Sequence, residues 1–314
     1  MTPVRSIPRL VQWLAAALLT FLLALWSVLT PSASAQGANE RIIVSGASGA
    51  LGTLVVEGLL AEGVDPRNLI LVSRSPEELA HYAALGAATR FGDFTQPQSL
   101  DAAYEGGDRL LLISMSAGLD DRHLLHGNAV TAAVQAGVRH IVYTSTVDAD
   151  NMAPGAASAD MHRRTEQIIR DSGLQWTMLR NHMYANGLVR QAARMVADRR
   201  IVVQPNEVPT AYVTREDCAA AAVAVLTGQG HTNRIYDITG PSTVLRRDIA
   251  QLASELTGVS IEIVEGAGDV PQVMGPTAGF TAFLVTSDAV EQLTGTPATS
   301  VEALLRANVD QLSP

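Results

Sequence analysis

The chain has 314 residues, 47% of them hydrophobic, and a formal net charge of -9. That is enough chain for a large core, and it is too acidic for broad nucleic-acid binding, which needs a basic surface. All 22 Lys-plus-Arg positions are Arg, which excludes Schiff-base chemistry, a lysine general base and a lysine-containing phosphate loop. Cys218 is the single cysteine, so neither an internal disulfide nor a cysteine metal cluster can form.

The N-terminal segment stands apart. Residues 1–36 carry Arg5 and Arg9, an apolar run over 13–29, Pro31, and then Ala33-Ser34-Ala35-Gln36. A basic start, an apolar stretch and an A-x-A site read as a secretory signal peptide. The run is long for a signal and short for a membrane span, so an uncleaved anchor stays open, with membrane association through residues 10–30. The expectation is an exported or membrane-anchored chain, the side of the membrane undecided.

Strand and helix patterns then alternate. Short apolar runs at 41–45, 69–73, 87–91, 109–114 and 139–145 predict strands. Helical patterns at 51–60, 76–85, 98–104 and 120–136 separate them. Continuously apolar strands joined by helices imply a parallel sheet covered on both faces. The predicted fold class is therefore α/β, a Rossmann-type doubly wound parallel sheet. A helix over 158–172 and a strand over 174–179 continue it. After that the pattern loosens. Helices are expected at 183–198, 214–226 and 246–256, short strands at 200–203, 211–213, 234–238 and 260–264, and a Gly/Pro-rich loop at 266–279. The expected organisation is a Rossmann domain over 37–182 and a smaller mixed α/β substrate lobe over 183–314, with strands returning to the main sheet.

The first strand runs into Ser45-Gly46-Ala47-Ser48-Gly49-Ala50-Leu51-Gly52, with a helix next. The spacing is G-x-x-G-x-x-G. Gly46 allows the tight turn, Gly49 lets backbone approach a pyrophosphate, and Gly52 lets helix and strand lie close. Ser48, Ala50 and Leu51 complete the cradle, and the helix N-terminus offers N–H groups to the anion. An NAD enzyme usually ends its second strand with Asp or Glu; here Arg74 stands between Ser73 and Ser75. A guanidinium cannot accept ribose hydroxyls but can form a charged fork with a 2′-phosphate, which favours NADP(H). Asp93 and Phe94, after the third strand, are placed beside the adenine. Ser114 and Met115, ending the fourth, are placed where the chain passes the cofactor.

These motifs resemble the NmrA-like atypical short-chain dehydrogenases, and within them the type 2 quinone oxidoreductases. The stretches that carry the likeness are IIVSGASGALG (42–52), LVSRSPEEL (71–79), RFGDF (90–94), RLLLISMS (109–116), HIVYTS (140–145), HRRTEQIIRDSGLQWTMLRN (162–181) and MYANGL (183–188). The resemblance implies a Rossmann-type NADPH domain with a small C-terminal lobe over the nicotinamide, and hydride transfer to a quinone or similar carbonyl electrophile without flavin. It also leaves an alternative, since other members are non-catalytic NADP-binding redox sensors. The tail departs from the family pattern, which leaves the substrate open.

Ordinary short-chain dehydrogenases use Tyr-x-x-x-Lys, and the missing lysine removes that relay. The corresponding helix carries His162 and Glu166, spaced to share one face. Glu166 could orient the imidazole and raise its pKa, making His162 a proton donor; the pair could equally be an ordinary helix surface. Thr144 and Ser145 at the end of the fifth strand, Asn181 after the sixth, and Tyr184 complete the candidate pocket. Asn181 would donate to a substrate carbonyl, and Tyr184 would stack or donate. Asp120-Asp121-Arg122-His123 with His126 reads as a helix start rather than a metal site, and no metal is expected. Cys218, in an Ala-rich helix, reads as core.

Overall fold

A computed structural model describes residues 40–115, 121–147, 149–150, 157–266 and 283–312. The leader expected over 1–36, Asp120 and most of the loop expected over 266–279 lie outside these residues. Among those described, no helix is long and apolar enough to cross a membrane. Glu40–Pro314 form one compact unit.

The main sheet has seven strands: β1 (Ile42–Ser45), β2 (Leu69–Ser73), β3 (Ala88–Phe91), β4 (Arg109–Leu112), β5 (His140–Thr146), β6 (Gln175–Asn181) and β8 (Arg234–Ile238). Their order is β3-β2-β1-β4-β5-β6-β8, all parallel. Parallel strands need crossovers, and helices supply them. These are α1 (Ala50–Ala61), α2 (Ala80–Ala84), α3 (Pro97–Tyr104), α4 (Arg122–Gln135), α5 (Ala157–Asp171) and α7 (Arg215–Thr227).

Period-two alternation divides the core. Ile42, Val44, Leu69, Leu71, Leu111 and Val142 point to the face covered by α1 and α7. Their neighbours Ile43, Ile70, Val72, Leu110, Leu112 and Ile141 point to the face covered by α3, α4 and α5. Each such side chain contributes about 1.5–3 kcal/mol on burial, so a one-residue register slip would exchange the two layers. A third cluster joins α6 (Asn186–Asp198), β7 (Arg200–Val203), α8 (Arg246–Thr257) and α10 (Val301–Ala307). Here β7 pairs with β9 (Glu262–Glu265) as a separate two-stranded parallel sheet.

Several elements depart from expectation. The helix expected over 76–85 divides into a 3-10 turn, Pro76–Leu79, and the short α2. The strand expected over 211–213 is replaced by isolated bridges, Tyr184 to Val213 and Thr210 to Val244. The helix α9 (Ala289–Thr294), which packs on α7, had no sequence prediction.

The packing of α7 positions the site. Its Ala-rich face buries Ala219, Ala221 and Ala222 with Cys218, so it approaches α1 closely. A Cβ on Gly58 of α1 would come within 2.9 Å of Val223 Cγ2. Both helices run opposite to the strands, so their N-termini emerge side by side above the carboxyl edge of the sheet. The far end of α7 is held by Arg109 of β4. This buried guanidinium donates to the carbonyls of Val225, Leu226 and Gly228 at 3.3, 3.1 and 3.0 Å and pairs with Glu40 at 2.7 Å. It joins the negative end of the helix to the base of the sheet.

Candidate functional site

Strand β1 lies between β2 and β4, so successive crossovers leave it in opposite directions and open a crevice above the strand ends. A cleft of about 560 Å³ occupies that position. Its floor is the glycine loop. Gly46 adopts φ +94, where a side chain would be strained. Its N–H and that of Ala47 both donate to Val72 O, at 2.9 and 3.0 Å, which folds the loop back onto β2. A Cβ on Gly52 would sit 2.2 Å from Gly46 O, so only glycine lets α1 start this close to the strand. Gly49 caps α1 with extended backbone and no side-chain cap. The first-turn N–H groups of Ala50, Leu51 and Gly52 are therefore left for an anion. The cradle fits a pyrophosphate and has no room for a bulkier loop.

The loop after β2 is tied to this cradle. Ser48 Oγ lies 2.7 Å from Ser73 Oγ, which accepts from Ser75 N at 3.0 Å. Between them Arg74 is exposed, lines the cleft, and has no ion pair among the described residues. Asp93 and Phe94 line the same end. Burial would raise the Asp93 pKa, but hydrogen bonds from the Thr95 backbone and hydroxyl, with the Arg74 charge, outweigh it and hold the group below its ordinary value.

Beyond the glycine loop, the segment following β4 crosses the cleft and is clamped from behind. Ser114 N donates to Thr144 Oγ1 at 2.8 Å, and Met115 N donates to His126 Nε2 at 3.1 Å. Arg122 Nη1 donates to Met115 O at 3.1 Å. Accepting at Nε2 leaves the neutral His126 proton on Nδ1, 3.0 Å from Thr165 Oγ1. Burial, with Arg122 and His123, pushes the His126 pKa down to about 4. Thus His126 serves as a buried hydrogen-bond acceptor. Asp121 stands at the N-cap of α4 but makes no side-chain cap bond.

The expected catalytic pair is not formed. His162 is buried, with Nδ1 2.8 Å from Tyr143 Oη. Burial, reinforced by Arg122 and His126, lowers its pKa to about 3 rather than raising it. Burial thus holds the imidazole in its neutral form at neutral pH, where an imidazolium was expected. Glu166 is fully buried and faces elsewhere: it accepts from Ser145 Oγ at 2.6 Å, Arg170 Nη2 at 2.7 Å, and Arg180 Nε at 2.9 Å. Arg180 also reaches Asp150 at 2.6 Å. The sequence spacing placed both residues on one helix face correctly, but that face turns into the sheet, where His162 meets Tyr143 of β5 and Glu166 meets Ser145 of β5 and Arg180 of β6.

Ser145 is corrected in the same way. On β5 it points with Tyr143 towards α5, so its hydroxyl serves Glu166 and does not line the cleft. Thr144, on the opposite face, acts behind Ser114 and contributes no lining surface. Asn181 is 7% exposed, and its amide donates to Tyr184 Oη at 3.4 Å, where a substrate carbonyl was expected. Cys218 is buried and its thiol pKa is pushed up by burial.

At the end opposite Arg74, Tyr184 lines the cleft. Burial raises its pKa to about 12, so the phenol keeps its proton. Arg215, absent from the sequence reading, lies over the Tyr184 ring with its guanidinium carbon 4.8 Å from the centroid, and it too lines the cleft. Nothing local marked it: as the first residue of α7 it looks like an ordinary helix start, and its partner is 31 positions away in the sequence, by the difference of 215 and 184.

A family model described as NAD(P)H-binding matches residues 46–229, more than half of the chain. The chain is 35% identical over 216 residues to quinone oxidoreductase 2 of Escherichia coli, covering 69% of this chain and 73% of that protein. Among solved structures, it is similar to the Citrobacter triphenylmethane reductase complexed with NADP(H), at 31% identity and a TM-score of 0.74, over 87% of this chain and 99% of that one. It is also similar to the NADPH-dependent quinone oxidoreductase of Escherichia coli complexed with NADPH, at 27% identity and a TM-score of 0.75, with the same coverage.

Proposed function

This chain belongs to the NAD(P)H-binding family of NmrA-like oxidoreductases, and from that premise we propose that it reduces quinones or similar flat carbonyl electrophiles, with NADPH as donor. The observation that carries the reading is a single cleft spanning Arg74, the glycine cradle, and the Tyr184–Arg215 pair. It matches in order a 2′-phosphate, a pyrophosphate and a nicotinamide with its substrate.

Bound NADPH would supply the hydride. Arg74 would form a charged fork with the 2′-phosphate and so choose the phosphorylated cofactor. The first turn of α1 would hold the pyrophosphate. The clamped segment at Ser114 and Met115 would fix the height at which the ring and its substrate meet. Tyr184 would supply an aromatic surface and a phenol that donates a hydrogen bond without losing its proton.

The balance is one quinone, one NADPH and one proton giving hydroquinone and NADP+. The product oxyanion can take its proton from water, so the chain needs no Tyr-x-x-x-Lys relay. Alignment and a dry surface suffice. Purified protein should oxidise NADPH in the presence of a panel of quinones, followed by loss of reduced-cofactor absorbance. Tight NADPH binding with no oxidation across the panel would overturn catalysis in favour of the sensor reading. The apolar run over 13–29 supports export or anchoring of this enzyme. A C-terminal reporter fusion, active on only one side of the membrane, tests where the domain lies.

A further inference from the structure

We propose that the cleft is built for flat electrophiles that carry an acidic substituent, and that Arg215 binds that substituent. The inference deepens the reductase reading and rests on it.

The first observation is charge placement. Two cations line the cleft, Arg74 at the β2 end and Arg215 at the other. The one carboxylate among its lining residues, Asp93, lies at the Arg74 end. The opposite end is therefore positive in a chain whose net charge is -9. The second is that no carboxylate among the described residues pairs with the Arg215 guanidinium. Neighbouring Glu216 is taken by Asn186 Nδ2, at 3.1 and 2.8 Å. The third is preorganisation. Arg215 N donates to Asn186 Oδ1 at 2.8 Å, which fixes the backbone, and the guanidinium carbon rests 4.8 Å from the Tyr184 ring centroid, which restrains the side chain. A guanidinium held in this way keeps its N–H fork available and loses little freedom when an oxyanion arrives.

The anionic groups of the cofactor have other partners in the cleft. A pyrophosphate is served by the backbone N–H groups and dipole of α1, and a 2′-phosphate by Arg74, at the far end. The remaining anion would belong to the substrate: a carboxylate or sulfonate on the ring system that lies against Tyr184. Arg215 would then hold the electrophile by its tail and present the conjugated carbonyl to the hydride.

The test uses the full chain at saturating NADPH with two matched electrophiles, a neutral naphthoquinone and its sulfonated analogue. Arg215→Gln should lower the ratio of kcat/KM for the sulfonated over the neutral substrate about 10- to 100-fold, mainly through KM. Arg215→Lys should recover part of that ratio. A ratio that stays within about 2-fold in Arg215→Gln overturns the inference, and a rise in NADPH Kd alongside it would assign Arg215 to the cofactor. If wild-type protein reduces neither quinone, the reductase reading fails by itself. Calorimetric titration of NADP+-loaded protein with both compounds then decides the inference. An Arg215-dependent preference for the sulfonated compound sustains it; equal affinities refute it.

Discussion

Replacing Glu166 with Ala separates a catalytic from a structural reading of the helix that carries His162. The Glu166 carboxylate has no exposure, and its partners join three elements: Ser145 of β5, Arg170 of α5 and Arg180 of β6. The Arg180 side chain is itself only 8% exposed, and without Glu166 its remaining acidic partner is Asp150, which is 51% exposed. Removing one member of such a buried pair typically costs about 3–5 kcal/mol, because the other charge stays buried. A domain of this size loses roughly 2–4 °C of melting temperature per kcal/mol, so the expected drop is on the order of 6–20 °C. Glu166→Gln, which retains hydrogen-bonding atoms, should lose less. Calorimetric melting reads the first effect. NADPH oxidation by quinone well below the lowered transition reads the second, and kcat there should stay within about 3-fold of wild type. A melting temperature within about 2 °C of wild type, or a large loss of kcat with stability intact, would refute the structural assignment.

Arg74→Ala should raise the NADPH Kd about 10- to 100-fold and leave NADH affinity nearly unchanged, as read by fluorescence titration; equal losses would remove the basis for cofactor preference. Gly52→Ala should abolish binding of either nucleotide while retaining the circular dichroism of the fold, because the new Cβ would sit 2.2 Å from Gly46 O. Acid sensitivity follows from three buried histidines: burial lowers the pKa values of His126 and His140 to about 4 and of His162 to about 3, from 6.5. Below pH 6.5 the unfolded chain takes up protons that the folded chain refuses, so stability is full above that pH and falls as pH drops towards 4. Each histidine contributes up to about 1.4 kcal/mol per pH unit. Urea unfolding at pH 7.5 and pH 5 measures the slope, and equal stabilities would contradict it.

Apolar patterning made the parallel core legible, because strands buried on both faces leave no polar positions to obscure them. The glycine spacing was legible too, since each glycine answers to a local backbone demand: Gly46 to its positive φ, Gly52 to its contact with Gly46 O. Direction was harder to read. Spacing put His162 and Glu166 on one helix face, but only the packing of α5 on β5 and β6 shows that this face turns inward. The alternation of β5 likewise sends Ser145 to one side and Thr144 to the other. Pairings across long sequence separations left no signal. Arg215 with Tyr184 is one case, and β7 with β9 is another.

The hold of Arg109 on the last carbonyls of α7 makes that helix a lever. Thirteen residues at about 1.5 Å per residue give an arm of roughly 20 Å, with its pivot at the base of the sheet and Arg215 at its tip. A tilt of about 3° at the pivot would displace the tip by about 1 Å, a shift that can change rates about 100-fold when it misplaces a reacting group. Substrate preference could then be retuned by substitutions around Glu40 and Arg109, at positions outside the cleft lining. Variants selected for new substrates should include changes at that remote end as well as in the cleft.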